Sequence, residues 1–260
     1  MSFVNYILLL PIIIVVAFSS SGFMVLGEEI PLYGPAVLLR VDQSGKGDFT
    51  KIQDAINAVP SNNNELVFIL VKPGIYKEKI VVPADKPYIT ISGTKPSLTI
   101  ITWNDGGDIF DSPTFSVLAS DFVARFLTIE NTFGSSGKAV ALRVSGDKAA
   151  FYGCRIVSFQ DTLLDDTAQR RQSPSEETGF VFLGCNISGV RTAFTVYYGQ
   201  YKCYGRGAVM SKRVEYGRNL TSLEAEPFLT KDFIGAKAWI RPVPTKFTKA
   251  FNKLVNGAKN

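Results

Sequence analysis

The feature that most constrains this chain is a long succession of short β-prone runs with no helices of comparable length between them. Leu66–Val71, Ile80–Val82, Tyr88–Ser92, Leu98–Thr102, Thr114–Leu118 and Phe122–Glu130 come first. Ala139–Val144, Ala149–Tyr152, Arg155–Phe159, Phe180–Leu183 and Phe194–Tyr198 follow. These runs are rich in β-branched and aromatic residues, and Gly, Pro, Asn or Asp separate them. A doubly wound parallel sheet needs helices between its strands and is excluded. A β-sandwich and a parallel β-helix remain. An internal repeat favours the β-helix: Ala150-Phe151-Tyr152-Gly153-Cys154-Arg155-Ile156 resembles Val181-Phe182-Leu183-Gly184-Cys185-Asn186-Ile187. Each copy gives a strand, a Gly turn and a further inward apolar residue, as stacked solenoid coils require. The sandwich, with a coincidental repeat, is the alternative.

One helix is predicted, over Phe49–Val59. Ile52, Ala55, Ile56 and Val59 recur at helical spacing. Thr50 and Gln53 are spaced as a capping box, and Pro60 stops the helix. Its single apolar face predicts a plug over the open N-terminal end of the stack.

Histidine is absent from all 260 residues. That excludes a Ser-His-Asp triad, a Cys-His dyad and any His-ligated metal. Proton transfer near neutral pH falls to Asp, Glu, Lys or Tyr. Cys154, Cys185 and Cys203 are too few and too widely spaced for a zinc ribbon or an iron–sulfur cluster. The net charge of +5 suits a polyanionic partner, but with 23 acidic residues the chain is not a nucleic-acid-grade basic protein. At 46% hydrophobic, it has ample material for a core.

Residues Ile7 to Phe18 form an apolar run broken only by Pro11, too short for a comfortable membrane span. The run reads as the core of a signal peptide over 1–27, with cleavage near Ser20–Gly22 or after Gly27. It departs from that pattern in one respect: no Lys or Arg precedes Arg40. An uncleaved membrane anchor is the alternative. Export would put three cysteines in an oxidising compartment and leave at least one unpaired. Asn186-Ile187-Ser188 and Asn219-Leu220-Thr221 are glycosylation sequons that suit an exported chain.

The segment Ser158-Phe159-Gln160-Asp161-Thr162-Leu163-Leu164-Asp165-Asp166 is the strongest candidate for chemistry. On a strand, Gln160 and Asp161 face opposite ways unless the chain bends there. An amide beside a carboxyl suits acyl transfer, the first stabilising an oxyanion and the second moving a proton. Read without context, the same residues also make an ordinary polar turn.

A set of motifs then occurs in order. Gly47-Asp48-Phe49, Ile52-Gln53-Asp54-Ala55-Ile56, Pro60 and Val71-Lys72-Pro73-Gly74-Ile75-Tyr76-Lys77-Glu78 open it. Thr114-Phe115, Ile129-Glu130-Asn131-Thr132, Ala139-Val140-Ala141-Leu142-Arg143, Phe151-Tyr152-Gly153-Cys154 and Gln160-Asp161-Thr162-Leu163 continue it. Thr167-Ala168-Gln169-Arg170, Thr178-Gly179-Phe180-Val181-Phe182, Tyr201-Lys202-Cys203-Tyr204-Gly205 and the tail Ala225 to Pro242 complete it. From about Val37 to Pro242 the chain resembles the plant pectinesterases (pectin methylesterases). The resemblance implies an all-β, right-handed parallel β-helix of the pectin-lyase-like kind, with a short N-terminal capping helix, over residues 28–260. It implies a secreted, monomeric enzyme of the cell wall that needs no cofactor or metal. The substrate is methyl-esterified homogalacturonan; the products are pectate and methanol. It also implies an aspartyl esterase, in which one Asp attacks the ester carbonyl and a second donates and retrieves a proton. Two adjacent carboxyls can split their pKa values to fill those roles. The proton donor matches Asp161, the adjoining oxyanion Gln matches Gln160, and a substrate-contacting Thr matches Thr114.

The sequence also departs from the family pattern. The coil carrying Val-Asp-Phe-Ile-x-Gly, whose Asp is the nucleophile, is absent: Leu164-Asp165-Asp166 runs straight into Thr167-Ala168-Gln169-Arg170. The later Leu-Gly-Arg-x-Trp-Gly stretch is absent too, with Val190-Arg191-Thr192-Ala193-Phe194 in its place. Lys138 stands where many members have a second Gln that contacts substrate. Asp232-Phe233-Ile234-Gly235 resembles the nucleophile motif but lies in the tail, and Gly205-Arg206-Gly207 matches a turn rather than the catalytic Arg. The expectation is therefore a pectinesterase without its nucleophilic Asp; the alternative is a catalytically inactive pectin-binding β-helix, or a non-functional splice or gene-model variant. Arg191 falls near the next-coil position if the two repeat copies stack directly.

Overall fold

The computed structural model describes residues 5–9, 14–16, 36–165, 180–183, 185–187, 198–202, 217–230, 240 and 243–248. Its frame is three sheets wound from successive coils. After β3 (Ala36–Val41) and α1 (Ile52–Asn57), four coils each lay one strand on each sheet. They are β4 (Val67–Val71), β5 (Gly74–Lys77) and β6 (Ile80–Val82); then β7 (Ile89–Ser92), β8 (Thr99–Trp103) and β9 (Phe115–Val117). Next come β10 (Phe122–Arg125), β11 (Thr128–Asn131) and β12 (Leu142–Val144), then β13 (Ala149–Tyr152), β14 (Arg155–Ser158) and β15 (Leu163–Asp165). Every pairing among these strands is parallel, and the fold is the expected parallel β-helix.

Register stacks like on like inside the coils. Leu39, Ile69, Ile91, Ala124 and Phe151 form one inward ladder, and Tyr76, Ile101, Ile129 and Ile156 form a second. All nine residues are fully buried. The rings of Phe115, Phe122 and Phe151 cross the interior in tilted pairs 5.9 Å apart, a geometry worth roughly 0.5–1.5 kcal/mol per pair beyond area burial. The corners are built from left-handed residues. Tyr88, Asp121 and Lys148 precede β7, β10 and β13, while Phe126 and Gly153 turn the chain from β10 to β11 and from β13 to β14.

The helix covers the N-terminal end, as expected, but is shorter than predicted and capped differently. α1 packs on β3 and β6, burying Ile52, Ala55 and Ile56. Lys51 is its N-cap and makes no side-chain cap, so the Thr50–Gln53 capping box is not formed. Instead Glu78 accepts from the amides of Ile52 and Gln53, each at 3.0 Å. Gln53 is diverted to the backbone of Val81. At the other end Lys86 donates to the carbonyls of Ile56 and Asn57. A carboxylate at the positive end of the helix and an ammonium at the negative end satisfy groups the helix itself cannot.

Beyond β15 the order changes. β1 (Asn5–Leu9) and β2 (Ile14–Val16) pair antiparallel with β14 and β13. On their other sides they pair antiparallel with β17 (Cys185–Ile187) and β16 (Phe180–Leu183). The two repeat copies thus occupy equivalent places in the same two sheets, but they do not stack directly. β18 (Tyr198–Tyr201) and β19 (Gly217–Asn219) continue the larger sheet in parallel beyond β16, and β20 (Phe247–Thr248) extends its opposite edge beside β3. A second short helix, α2 (Ser222–Ala225), carries a complete capping box between Thr221 and Glu224. Among the described residues, no helix is long and apolar enough to cross a membrane.

Candidate active site

The candidate residues gather on one corner of the stack, where the chain passes from the sheet holding β14 to the sheet holding β15. Backbone hydrogen bonds climb this corner coil by coil. Ile80 donates to Thr114, Thr114 to Val140 at 3.1 Å, and Ala139 to the carbonyl of Gln160 at 3.3 Å. Ala141 and Leu142 both donate to the carbonyl of Thr162, at 3.2 and 3.1 Å. Thr114, Lys138 and Gln160–Asp161 therefore stand on three successive coils of one corner.

The chain does bend at the candidate pair. Asp161 has φ +57°, in the left-handed region, where a short polar side chain is tolerated better than most. With the carbonyls on either side held by the coil below, Gln160 and Asp161 are both exposed. Asp161 lies outside β14 and β15, so it shares no strand face with Asp165. Lys138 is exposed, and its carbonyl accepts from Gly107 at 2.8 Å.

Thr114 is 0% exposed, and its hydroxyl donates to the carbonyl of Glu130 at 3.1 Å. The side chain supports the corner from inside. Three further buried polar residues brace the same corner, none of which the sequence assigned a role. The Asn131 amide nitrogen lies 2.9–3.1 Å from the carbonyls of Asp105, Ser112 and Val140, and its oxygen accepts from the Phe133 amide. The Ser158 hydroxyl sits within hydrogen-bonding reach of the carbonyls of Ala139 and Gln160. Ser112 accepts from the amide of Val140. Buried polar groups satisfied in this way fix loop geometry, because leaving one unpaired costs about 1–3 kcal/mol. Strand-end Asn and Ser residues look the same in sequence whether they are buried or exposed.

Aromatic side chains flank the corner. Phe133 is partly exposed and packs over Gly106, where an added Cβ would lie 2.3 Å from the ring. The Arg143 guanidinium lies 5.1 Å from the centre of the exposed Phe110 ring. Lys79 pairs with Asp105 at 2.6 Å and holds its carboxyl below the usual range. Cys154 is buried and free, and burial pushes its thiol up to about 12. Among the described residues, no cluster of three His, Cys, Asp or Glu side chains could hold a metal. Arg191, Asp166, Asp232 and the Gly205-Arg206-Gly207 turn lie outside the described residues.

Comparison with known proteins agrees with this fold. A family model described as Pectinesterase matches residues 39–166. The Arabidopsis thaliana protein named pectinesterase 11 is 45% identical over 298 aligned positions, covering 84% of this chain and 85% of the relative. Those positions outnumber the chain's 260 residues, so part of the relative's aligned length has no counterpart here. Pectinesterase QRT1 of the same plant is 33% identical, with 77% and 78% covered. Among solved structures, a pectin methylesterase from carrot superposes with a TM-score of 0.61 at 23% identity, covering 85% of this chain and 97% of that one. A pectin methylesterase in complex with a hexasaccharide gives 0.52 at 18% identity, covering 82% and 99%. The coil stack and its three sheets agree with these structures, the corner motifs lie inside the matched region, and the chain belongs to the pectinesterase family.

Proposed function

We propose that this chain acts on methyl-esterified homogalacturonan as a carboxylic ester hydrolase of the pectinesterase type, giving pectate and methanol in the cell wall. The observation that carries this reading is the exposed Gln160–Asp161 pair, turned outward by a left-handed residue on a corner braced by buried polar groups. In this reading Asp161 is the group placed to give a proton to the departing methoxide and later take one back, a role it can fill only where a nucleophile attacks the ester. The Gln160 amide donates to the oxygen of the ester carbonyl as charge builds there. Lys138, one coil below, attracts a neighbouring free carboxylate of the polymer. The net charge of +5 suits a substrate whose product is a polyanion. Thr114 holds the corner from within.

The protein acts as a monomer outside the cell. The exposed Asn219 sequon is consistent with export.

The expected loss of a nucleophilic Asp bears on rate rather than on substrate. Ester attack needs a second carboxylate facing Asp161 from the next coil, about 4.8 Å away. Without it, the site still aligns the ester but turns it over slowly. Methanol release from highly methylated pectin, run beside binding to immobilised pectin and pectate, tests the reading. Retention on pectin with measurable methanol release supports it. Binding to pectate alone with no release supports the inactive alternative. Neither binding nor release overturns the assignment of substrate.

A further inference from the structure

We propose that Phe110 is a stacking platform for a methyl-esterified galacturonate unit beside the one at Asp161, and that Asp108 and Asp111 make this position select the uncharged ester over the free carboxylate. The proposal rests on the reading of the substrate given above.

The sheet fixes where the ring stands. Leu142 and Val144 of β12 are buried in the core, so Arg143 between them points outward. Phe110 belongs to the loop between β8 and β9, and its ring lies over the Arg143 guanidinium, 5.1 Å from centre to cation. The ring therefore sits on the outer face of the four-stranded sheet. Gln160 and Asp161 lead directly into β15 of that same sheet. Arg143 is the register partner of Leu164, three residues after Asp161. Three steps along a strand and one strand spacing across put the backbones of Arg143 and Asp161 within about 11 Å of each other. Neighbouring sugars of one polymer chain bridge such a span.

The loop that carries the ring is tied down at many points. The Lys79 ammonium donates to the Asp105 carboxylate and to the Asp111 carbonyl, towards the loop's two ends. The Asn131 amide holds the carbonyls of Asp105 and Ser112. Within the loop, the Asp108 carboxylate accepts from the Phe110 amide at 2.7 Å, and its carbonyl accepts from the Ser112 amide at 2.9 Å. Phe133 packs over Gly106 and leaves no room there for a side chain. Phe110 nonetheless remains 45% exposed. A single exposed apolar residue is ordinary. This one is held in place before any ligand arrives, which lowers the ordering cost of binding. The C–H groups on one face of a galactopyranose ring suit the electron-rich face of an aromatic one.

Charge then decides which form of the sugar fits. Asp108 and Asp111 flank Phe110 in the chain and are exposed. Among the described residues the ion pair on this loop is Lys79–Asp105, and neither Asp108 nor Asp111 has a cation within salt-bridge reach. A free galacturonate on the ring would bring its carboxylate within a Debye length of both. Arg143, against the ring, offsets only part of that repulsion. A methyl ester carries no charge and adds apolar area. Lys138, on the adjoining turn, suits a free carboxylate instead, so the two positions favour opposite states of esterification along one chain.

Binding tests this without depending on turnover. Calorimetric titrations compare a fully methyl-esterified and an unesterified oligogalacturonide of equal length, at low ionic strength. Phe110→Ala should weaken binding of the esterified oligomer by at least about fivefold and change the unesterified one by less than about twofold. Phe110→Tyr keeps the ring and should bind as wild type does. Thermal midpoints of both variants should match wild type, which separates loss of the ring from loss of the fold. Asp108→Asn with Asp111→Asn keeps the acceptor for the Phe110 amide. It should tighten the unesterified oligomer by at least about threefold at low salt, leave the esterified one unchanged, and lose its advantage in high salt. Esterified binding unchanged in Phe110→Ala, or both oligomers weakened alike, overturns the proposal. So does an unesterified affinity unchanged in the double Asn variant. Wild type that binds neither oligomer overturns the reading of the substrate, and this proposal with it.

Discussion

The two boundaries of the parallel coils are finished in different ways. At the front, α1 closes the stack with charge: Glu78 holds its first amides and Lys86 its last carbonyls. Behind β13 and β14 the closure is made by two antiparallel strands from the start of the chain, which carry no acidic residue. The first solution is local, assembled from residues about thirty positions apart or fewer. The second brings together segments about 150 residues apart in sequence, and such contacts carry a larger loop-closure cost. A solenoid tolerates either, because each coil answers only to its neighbours. A two-carboxylate site is less tolerant, because its two carboxyls must come from adjacent coils.

Four substitutions sharpen this contrast, from the largest expected effect to the smallest. Phe151 is fully buried on the last parallel rung, with Ile14 opposite it. If the strand holding Ile14 covers it, Phe151→Ala costs about 3–5 kcal/mol, seen as a drop in thermal midpoint or denaturant midpoint. A cost near that of a surface change would mean the rung behind it is open. At the front, Glu78→Ala leaves two helix amides without their partner and costs about 1–2 kcal/mol by chemical denaturation. Recovery in Glu78→Gln should be partial, since the amide accepts without the charge. Lys79→Ala removes an exposed pair and costs less than about 1 kcal/mol at neutral pH. Because the Asp105 carboxyl is held below its ordinary range by Lys79, the pair's contribution is present above the unfolded pKa. It is lost as pH falls through the lowered folded value. Wild type and Lys79→Ala should therefore converge in stability in acid, and in high salt. Asp161→Asn keeps a side chain suited to the left-handed corner and removes only the proton. If no second carboxylate faces it, the rate should change by less than about threefold, against the 10²–10⁴-fold loss of a working acid–base group. Methanol release by the two chains side by side checks this.

Much of the fold was legible because a β-helix repeats its signal. Ile80–Val82, Ala149–Tyr152 and Phe180–Leu183 are strands with the bounds their β-branched and aromatic runs suggested. The run from Phe122 to Glu130 divides into β10 and β11 at Phe126, whose positive φ makes a corner no propensity would assign to it. β5 was missed because Gly74-Ile75-Tyr76-Lys77 follows a proline and lacks a continuous apolar run, yet Tyr76 is a core residue. The capping box failed because a tertiary carboxylate, Glu78, outcompeted the local one. At the site, the rule that Gln160 and Asp161 diverge unless the chain bends led to the bend itself. The burial of Thr114, Ser158 and Asn131 was not legible, since a hydroxyl or amide at a strand end serves equally well in water or against a carbonyl. The N-terminal strands were hidden for a related reason: eleven apolar residues around one proline suit a leader, a membrane and a sheet interior alike.

The account's central claim is that this chain lacks the nucleophilic Asp that would face Asp161. Initial rates of methanol release from highly methylated homogalacturonan, at equal concentrations of this chain and a family member that retains the nucleophile motif, test it most directly. The predicted result is a rate lower by more than about tenfold, and insensitive to Asp161→Asn, because an acid without a nucleophile has no leaving group to protonate. A rate within about tenfold of the complete relative, collapsing by 10²–10⁴-fold in Asp161→Asn, would show that another carboxylate faces Asp161 and would contradict the claim.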